Sequence, residues 1–359
     1  MLDYNTYDKK GTVFKVIGVG GCGCNAVNNM IEYGVKGVEF IAADTSTYVV
    51  YKTQTDKKIF LGEKVTRGTH GGANPLIGEA AAKDRIEDIA HHLEGADAVI
   101  IVSGMGGGAG TGAAPVIAKA SKAMGILTVG VVTKPFTFEG PKRRKRAELG
   151  IEYLKKYVDT LVVISNDKII KYDPERISML QAFKMSDDII RQCVNVIPQI
   201  LRVNQMIGID FDDVKSVFKD GGIAHFSTGH GFGETRAADA VKGAIESPFL
   251  ETTIDGAKAI LLCVVGGYDI GMMEINEIAS EVQNRVGEDC IFIFGAAIDD
   301  AMKDEVKVDI IAAFEDDEYK MDESEKRSIL EEYRNLLKHC IEDGYISEDY
   351  KDMEFDWGK

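Results

Sequence analysis

Gly104-Met105-Gly106-Gly107-Gly108-Ala109-Gly110-Thr111-Gly112 decides the reading of this chain of 359 residues. The run Ala98–Ser103 before it is apolar and β-branched, the signature of a buried strand. The run Ala113–Ala120 after it reads as a helix with Pro115 near its first turn. Glycine without Cβ lets the backbone curl, so its N–H groups can approach an oxyanion closely. The helix dipole adds partial positive charge at the same place. Six glycines in nine residues exceed what a sharp turn needs, so the stretch reads as a phosphate cradle.

Working outward, strands and helices alternate. Val13–Val19 reads as a strand, Gly20–Asn25 as a turn and Ala26–Ile31 as the opening of a helix. A second strand, Val38–Ala43, ends at Asp44. Gly18, Gly20 and Gly23 form a G-x-G-x-x-G, which with Asp44 matches a dinucleotide fingerprint. Thr66–Pro75 is a third small-residue loop, followed by a helical stretch from Ile77 to Ala90. Further strands are expected at Leu127–Thr133 and Leu161–Asp167. Such alternation means a parallel, doubly wound sheet with its ligand at the carboxyl ends of the strands. The basic run Lys142–Arg146 is either a solvated helix face or charge beside a phosphate or ribose. Met179–Ile200 has the period of one long helix linking two domains. Asp210-Phe211-Asp212-Asp213 then reads as an acidic helix start. Strands at Ala259–Val265, Ile291–Ala297 and Val306–Ala312 alternate with helices at Arg236–Ile245 and Glu274–Val286.

Composition narrows the function. A net charge of −16 argues against a nucleic-acid or anionic-membrane surface. Six scattered cysteines in a long chain point to reduced thiols and a cytoplasmic setting. Cys22 and Cys24 lack a second Cys or His cluster that would complete a metal site. No signal peptide and no run of about 20 apolar residues is present, so direct membrane insertion is not expected.

Together these stretches resemble the tubulin superfamily, specifically its FtsZ cell-division GTPases, from about residue 12 to residue 314. The resemblance rests on Lys15–Gly21, Thr66–Gly68 with Gly72–Pro75, Gly104–Pro115, Thr128–Gly140, Asn166–Asp167, Asp210–Phe211 with Asp213–Lys215, Ser247–Pro248, Leu250–Thr252 and Ile254–Ala257. It implies an α/β fold: a Rossmann-like GTP-binding domain joined by a long central helix to a smaller α/β domain. The implied division is a flexible 1–11, a GTP-binding domain 12–178, a central helix 179–204, a second domain 205–314 and an acidic, partly helical tail 315–359.

The resemblance also implies residue roles. Gly20, Gly21, Cys22, Gly23, Cys24 and Asn25 belong to the first nucleotide loop, and Gly72 and Ala73 approach the γ-phosphate. Gly106, Gly107, Gly108, Ala109, Gly110, Thr111 and Gly112 hold the phosphates; Pro135, Glu139 and Arg143 lie at the ribose and phosphates. Asn166 and Asp187 read guanine, and Phe183 packs on the base. The chemistry agrees, because one carboxylate accepts both the N1–H and the N2 amine of guanine, a donor pair that adenine lacks. Asp210 and Asp213 are the acids that a neighbouring subunit presents to the γ-phosphate. GTP or GDP, Mg²⁺ with the nucleotide, and a head-to-tail homopolymer are the implied ligand, cation and partner.

The chain departs from the family pattern at several positions. Ala109 stands where Thr is usual, Cys22 and Cys24 replace Gly and Asn, His70 replaces Gly, and Gly208 replaces Asn. Asp44-Thr45-Ser46 stands for Asn-Thr-Asp. Backbone donors survive these changes, so nucleotide binding is expected, and the hydrolysis rate is the property at stake. A GTP-binding filament protein with weak hydrolysis is therefore a second reading. An NAD-dependent oxidoreductase, on the Gly18–Gly23 fingerprint, is a third. In the tail, Ser324–Ile341 reads as an amphipathic helix, either docked on the second domain or recruiting a tethering or regulatory protein. Sixteen acidic against seven basic residues from Glu315 onward exclude a polybasic membrane anchor.

Overall fold

The computed structural model describes residues 11–69, 72–172, 177–201, 205–219, 221–246, 252–314 and 323–342. Its first half runs β1 (Phe14–Val19), α1 (Gly20–Glu32), β2 (Val38–Asp44), α2 (Thr47–Lys52) and β3 (Lys57–Phe60). Next come α3 (Pro75–Asp84), α4 (Ile86–Leu93), β4 (Ala98–Gly104) and α5 (Ala109–Ala123). Then follow β5 (Leu127–Lys134), α6 (Pro141–Lys155), β6 (Thr160–Ser165) and α7 (Asn166–Tyr172). The long α8 (Met179–Ile200) leads to β7 (Gln205–Ile207), α9 (Phe211–Phe218), β8 (Gly222–Phe232) and α10 (Arg236–Ile245). The chain continues with β9 (Ala259–Gly266), α11 (Met272–Val286), β10 (Ile291–Ile298), β11 (Glu305–Ala313) and α12 (Glu323–Glu342).

The strands stand in the order β3-β2-β1-β4-β5-β6-β8-β11-β9-β10-β7. From β3 to β8 every pairing is parallel; β11 is antiparallel to both β8 and β9. Between β6 and β8 the ladder has two pairs, Thr160↔Gly222 and Leu161↔Ile223. Strands buried on both faces carry continuous apolar runs, which is why β1, β4 and β6 show no alternation. One core lies under α3 to α6; a second lies under α1, α8 and α9 and runs on beneath β9 and β11. A third sits between the second half of the sheet and α10 and α11. The order of the first six strands reverses between β1 and β4, and a crevice opens at that switch point outside their carboxyl ends.

Several expectations need correction. Helix α1 begins at Gly20 directly after β1, and α5 begins at Ala109, so both loops are short and run straight into helical turns. Pro115 consequently lies inside α5, not in its first turn. The stretch from Ile77 to Ala90 is two helices that meet at Arg85. Asn166 and Asp167 do not extend β6; they open α7. The long helix ends at Ile200, and residues 202–204 lie outside the described residues. The tail helix does not dock on the second half. Its Ile341 is buried in the first core, and α12 lies along α3. Residues 1–10, His70 and Phe355–Trp357 are outside the described residues.

Helices α3 and α5 touch backbone to backbone. A Cβ on Gly112 would stand 1.9 Å from the Pro75 carbonyl, and one on Gly78 would stand 2.4 Å from the Gly108 carbonyl. Side chains at these two positions would force the helices apart.

Candidate nucleotide site

The crevice is a cleft of about 410 Å³. At one end stand the first residues of α1 (Gly20, Gly21, Cys22 and Asn25) and the turn Gly107–Gly110. Neither α1 nor α5 carries a side-chain cap at its amino end. Their first N–H groups therefore remain for a ligand, and both dipoles point at the cleft. Gly20 has φ +76°, and its Cβ would meet Gly110 N at 2.8 Å, so the two glycine turns close on each other. Gly107 is open toward the cleft. Beneath Gly110, Ser103 Oγ is buried without a hydrogen-bond partner among the described residues.

At the other end Asn166, Phe183, Ser186 and Asp187 line the wall. Asn166 Oδ1 accepts a 2.9 Å hydrogen bond from Ser186 Oγ, which commits the amide oxygen and leaves Nδ2 as the donor end. Burial, reinforced by the neighbouring Asp188 carboxylate, pushes Asp187 up to about 7. The site thus holds a carboxylate ready to lose its proton when donors arrive. Phe183 meets Phe136 edge to face at 5.2 Å, and Phe136 stacks on Phe138 at 5.0 Å. Glu139 holds this turn: its Oε1 accepts from Phe136 N at 2.9 Å, and its Oε2 pairs with Arg143 Nε at 3.1 Å. Pro135, Glu139 and Arg143 all face the cleft, as does Gly72 with φ +61°.

Some expected residues stand behind the wall instead of in it. Cys24 is buried and its Sγ donates to Gly18 O at 3.7 Å. Gly23 packs on Val102 O, and Gly18 on Gly23, a close strand–helix contact that explains these glycines without a dinucleotide. Thr111 Oγ1 accepts from Gly106 N at 2.8 Å and shapes the turn from beneath. Gly112 serves the α3 contact, and Ala73 is exposed beside the cleft. Cys22 does line the cleft, next to Thr133 Oγ1 at 3.7 Å, with its thiol pushed up to about 11, by burial first and then by Asp187.

Thr45, Thr133 and Ser186 line the cleft without having been read as contacts from sequence, whereas Gly104 and Met105 belong to the stretch read as the cradle and Asp44 was the acid of the dinucleotide fingerprint. Each lies at or next to the carboxyl end of β2, β4 or β5 or, for Ser186, beside Asp187 on α8, so position relative to these elements was the available signal. Asp44 turns into its own loop, with Oδ1 accepting from Ser46 N at 2.7 Å.

Asp210 and Asp213 are not part of this wall. Asp210 caps α9, accepting from Asp212 N at 2.8 Å and Asp213 N at 2.9 Å, and Asp213 Oδ2 accepts from Asp210 N at 2.9 Å. This reciprocal capping box is the acidic helix start that the sequence suggested. Among the described residues no group of three His, Cys, Asp or Glu side chains is placed to hold a metal ion. None of the described helices is long and apolar enough to cross a membrane.

Comparison with known proteins agrees with this geometry. The Tubulin/FtsZ family GTPase domain matches residues 13–173, and the FtsZ family C-terminal domain matches residues 222–314. An empty FtsZ dimer from M. jannaschii is 38% identical, with a TM-score of 0.79, over 85% of this chain and 89% of that one. GDP-bound monomeric CetZ1 from Haloferax volcanii is 19% identical, with a TM-score of 0.73, over 91% and 100%. The GTPγS-bound CetZ2 protofilament from the same organism is 18% identical, with a TM-score of 0.73, over 92% and 99%. These last two likenesses speak for the fold alone. The dinucleotide alternative has no support in them, and with 38% identity across most of an FtsZ chain, this protein belongs to the tubulin/FtsZ family of GTPases.

Proposed function

We propose that the chain binds GTP in the β1/β4 crevice, assembles head to tail, and hydrolyses the nucleotide where two subunits meet. The observation that carries this is the cleft with two uncapped helix starts at one end and the Asn166–Asp187 pair at the other. Phosphates sit against the backbone of Gly20–Gly21 and Gly107–Gly110, and guanine donates to Asp187 while Phe183 flanks the ring. Mg²⁺ supplies charge neutralisation on the phosphates when bound, held chiefly by those phosphates. Asp210 and Asp213 of one subunit meet the outermost phosphate of the next and orient the attacking water. Such a heterologous contact, where its rotation does not close a ring, gives an open polymer. The family's division and cell-shaping roles both suit a filament of this kind, in the cytoplasm. The functional units are 12–178, the linking segment 179–204 that carries α8, and 205–314, with the tail available to a regulatory partner.

Ala109 favours a second reading, a filament protein with slow hydrolysis, because it lines the phosphate turn without the hydroxyl that the Thr usual in the family would supply. The test is phosphate release from GTP and from ATP, measured with sedimentation across a range of protein concentrations. Release that prefers GTP and rises faster than linearly, together with pelleting, supports the first reading. Pelleting with negligible release supports the second, and release indifferent to the base rejects both.

A further inference from the structure

The loop 72–74 borders the cleft on the side away from Asn166 and Asp187. Gly72 lines the cleft, and the residue after Asn74 opens α3, whose Gly78 abuts Gly108 of the phosphate turn. A nucleotide laid with its base at Asp187 and its first phosphates on Gly107–Gly110 therefore reaches this loop with its outermost phosphate. Gly72 and Ala73 are exposed, so hydrogen bonds and not apolar packing must hold them. One end is fixed by Asn74, whose Oδ1 accepts from Leu76 N at 3.0 Å. The middle is fixed from a different helix: Arg146 Nη1 donates to the Ala73 carbonyl. Arg146 lies on α6 about one turn beyond Arg143, which faces the cleft and underlies Gly106. Its Nε donates to Lys142 O at 3.3 Å, which steadies the guanidinium against its own helix. The arginine thus straps loop 72–74 to α6 across the rim of the glycine turn. A planar peptide with its carbonyl held cannot rotate freely, so the strap limits the loop where a third phosphate arrives.

We propose that Arg146 is a positioning residue that sets the preference of this site for a nucleoside triphosphate over the diphosphate, by holding the Ala73 carbonyl and with it loop 72–74. The proposal rests on the guanine-nucleotide reading of the cleft. A diphosphate ends at the glycine turn and does not feel the strap. A triphosphate binds a loop that is already ordered and forgoes the entropy of ordering it.

The experiment is competition of unlabelled GDP and GTPγS against a fluorescent GDP, on the full chain below its assembly concentration. The variants are Arg146→Ala, Arg146→Met, which keeps the aliphatic stem, and Arg146→Lys, which keeps a cationic donor. Arg146→Ala and Arg146→Met should keep GDP affinity within about twofold and weaken GTPγS roughly five- to tenfold, the low end of coupling between linked groups. Arg146→Lys should recover most of that loss. An unchanged ratio of the two affinities in both donor-less variants, or equal weakening of both ligands, overturns the proposal and leaves the nucleotide reading standing. An unmodified protein that binds neither guanine nucleotide overturns that reading and this proposal with it.

Discussion

The ring of Phe211 meets the ring of Phe14 edge to face, with centroids 5.8 Å apart and planes at 90°. Phe14 opens β1, and the far end of β1 runs into Gly20 at the cleft. The six residue steps from Phe14 to Gly20 separate the two ends by roughly 20 Å at 3.3 Å each. The acids beside Phe211 are therefore fixed at the opposite end of β1 from the glycine turns of their own subunit's cleft. If they act in hydrolysis, they act on a neighbour.

That arrangement separates capping from catalysis. Asp210→Ala should lose both the cap, at a cost of about 1 kcal/mol, and hydrolysis. Asp210→Ser keeps a capping oxygen without a carboxylate. We expect its thermal midpoint to stay near that of the unmodified protein while phosphate release falls by ~10²-fold. Mixing Asp210→Ala with Gly107→Trp, whose cleft is blocked, should restore part of the activity, since one subunit supplies nucleotide and the other acids. Undiminished release by Asp210→Ser would remove the acid from the mechanism.

If guanine docks on Asp187 as proposed, its binding should depend on pH. With the empty-site carboxyl raised to about 7, the group is protonated below that pH and cannot accept from guanine. Binding favours the carboxylate and so releases a proton. GDP affinity should level off above pH 7 and fall below it, by up to about tenfold per pH unit. Titration calorimetry in two buffers of different ionisation enthalpy would report the proton. Asp187→Asn should bind more weakly, by ~1–3 kcal/mol, and lose the pH dependence. A flat profile in the unmodified protein would count against this role.

Two glycines of the same glycine-rich stretch should fail in different ways. Gly112→Ala puts a methyl group against the Pro75 carbonyl and should cost ~1–3 kcal/mol in denaturant unfolding. Gly107→Ala meets nothing within 4 Å, so it should leave the unfolding midpoint in place while impairing phosphate binding. Equal midpoints for the two variants would mean that α3 and α5 adjust to each other.

The tail is expected to stabilise the first half. Cutting after Phe314 should leave a cooperatively folding chain with a lower midpoint, and Ile341→Ala should reproduce part of the shift, about 1–2 kcal/mol for a buried aliphatic side chain at a helix end. No shift in either protein would show that α12 leaves α3 in solution.

Much of the first half was legible because buried parallel strands write themselves as apolar runs, as in Ala98–Ser103. Strand β8 was not legible. Its sequence is rich in glycine because α10 lies directly on it: a Cβ on Gly229 would stand 1.9 Å from Ala240 O, and one on Gly231 1.9 Å from Arg236 O. A strand that packs through bare backbone carries no hydrophobic period. Within the cleft, the residues that read as contacts were those in motifs. Ser186 and Thr133 escaped because a small hydroxyl residue has no signature of its own; only the fold shows that each faces the cavity. Cys24 went astray for the converse reason, since an N-terminal helical turn has an inner side as well as a ligand side.

The ladder between β6 and β8, two pairs long, is where the parallel first half of the sheet meets the second half. Helix α8 runs beside it and packs into a core shared by both halves. A load that tilts one half against the other has few rungs to break there. It must instead slide or bend α8, whose first turns carry Phe183 and Asp187. In a filament of the proposed kind, mechanical strain would thus arrive at the Phe183–Asp187 end of the cleft before it reached the glycine turns.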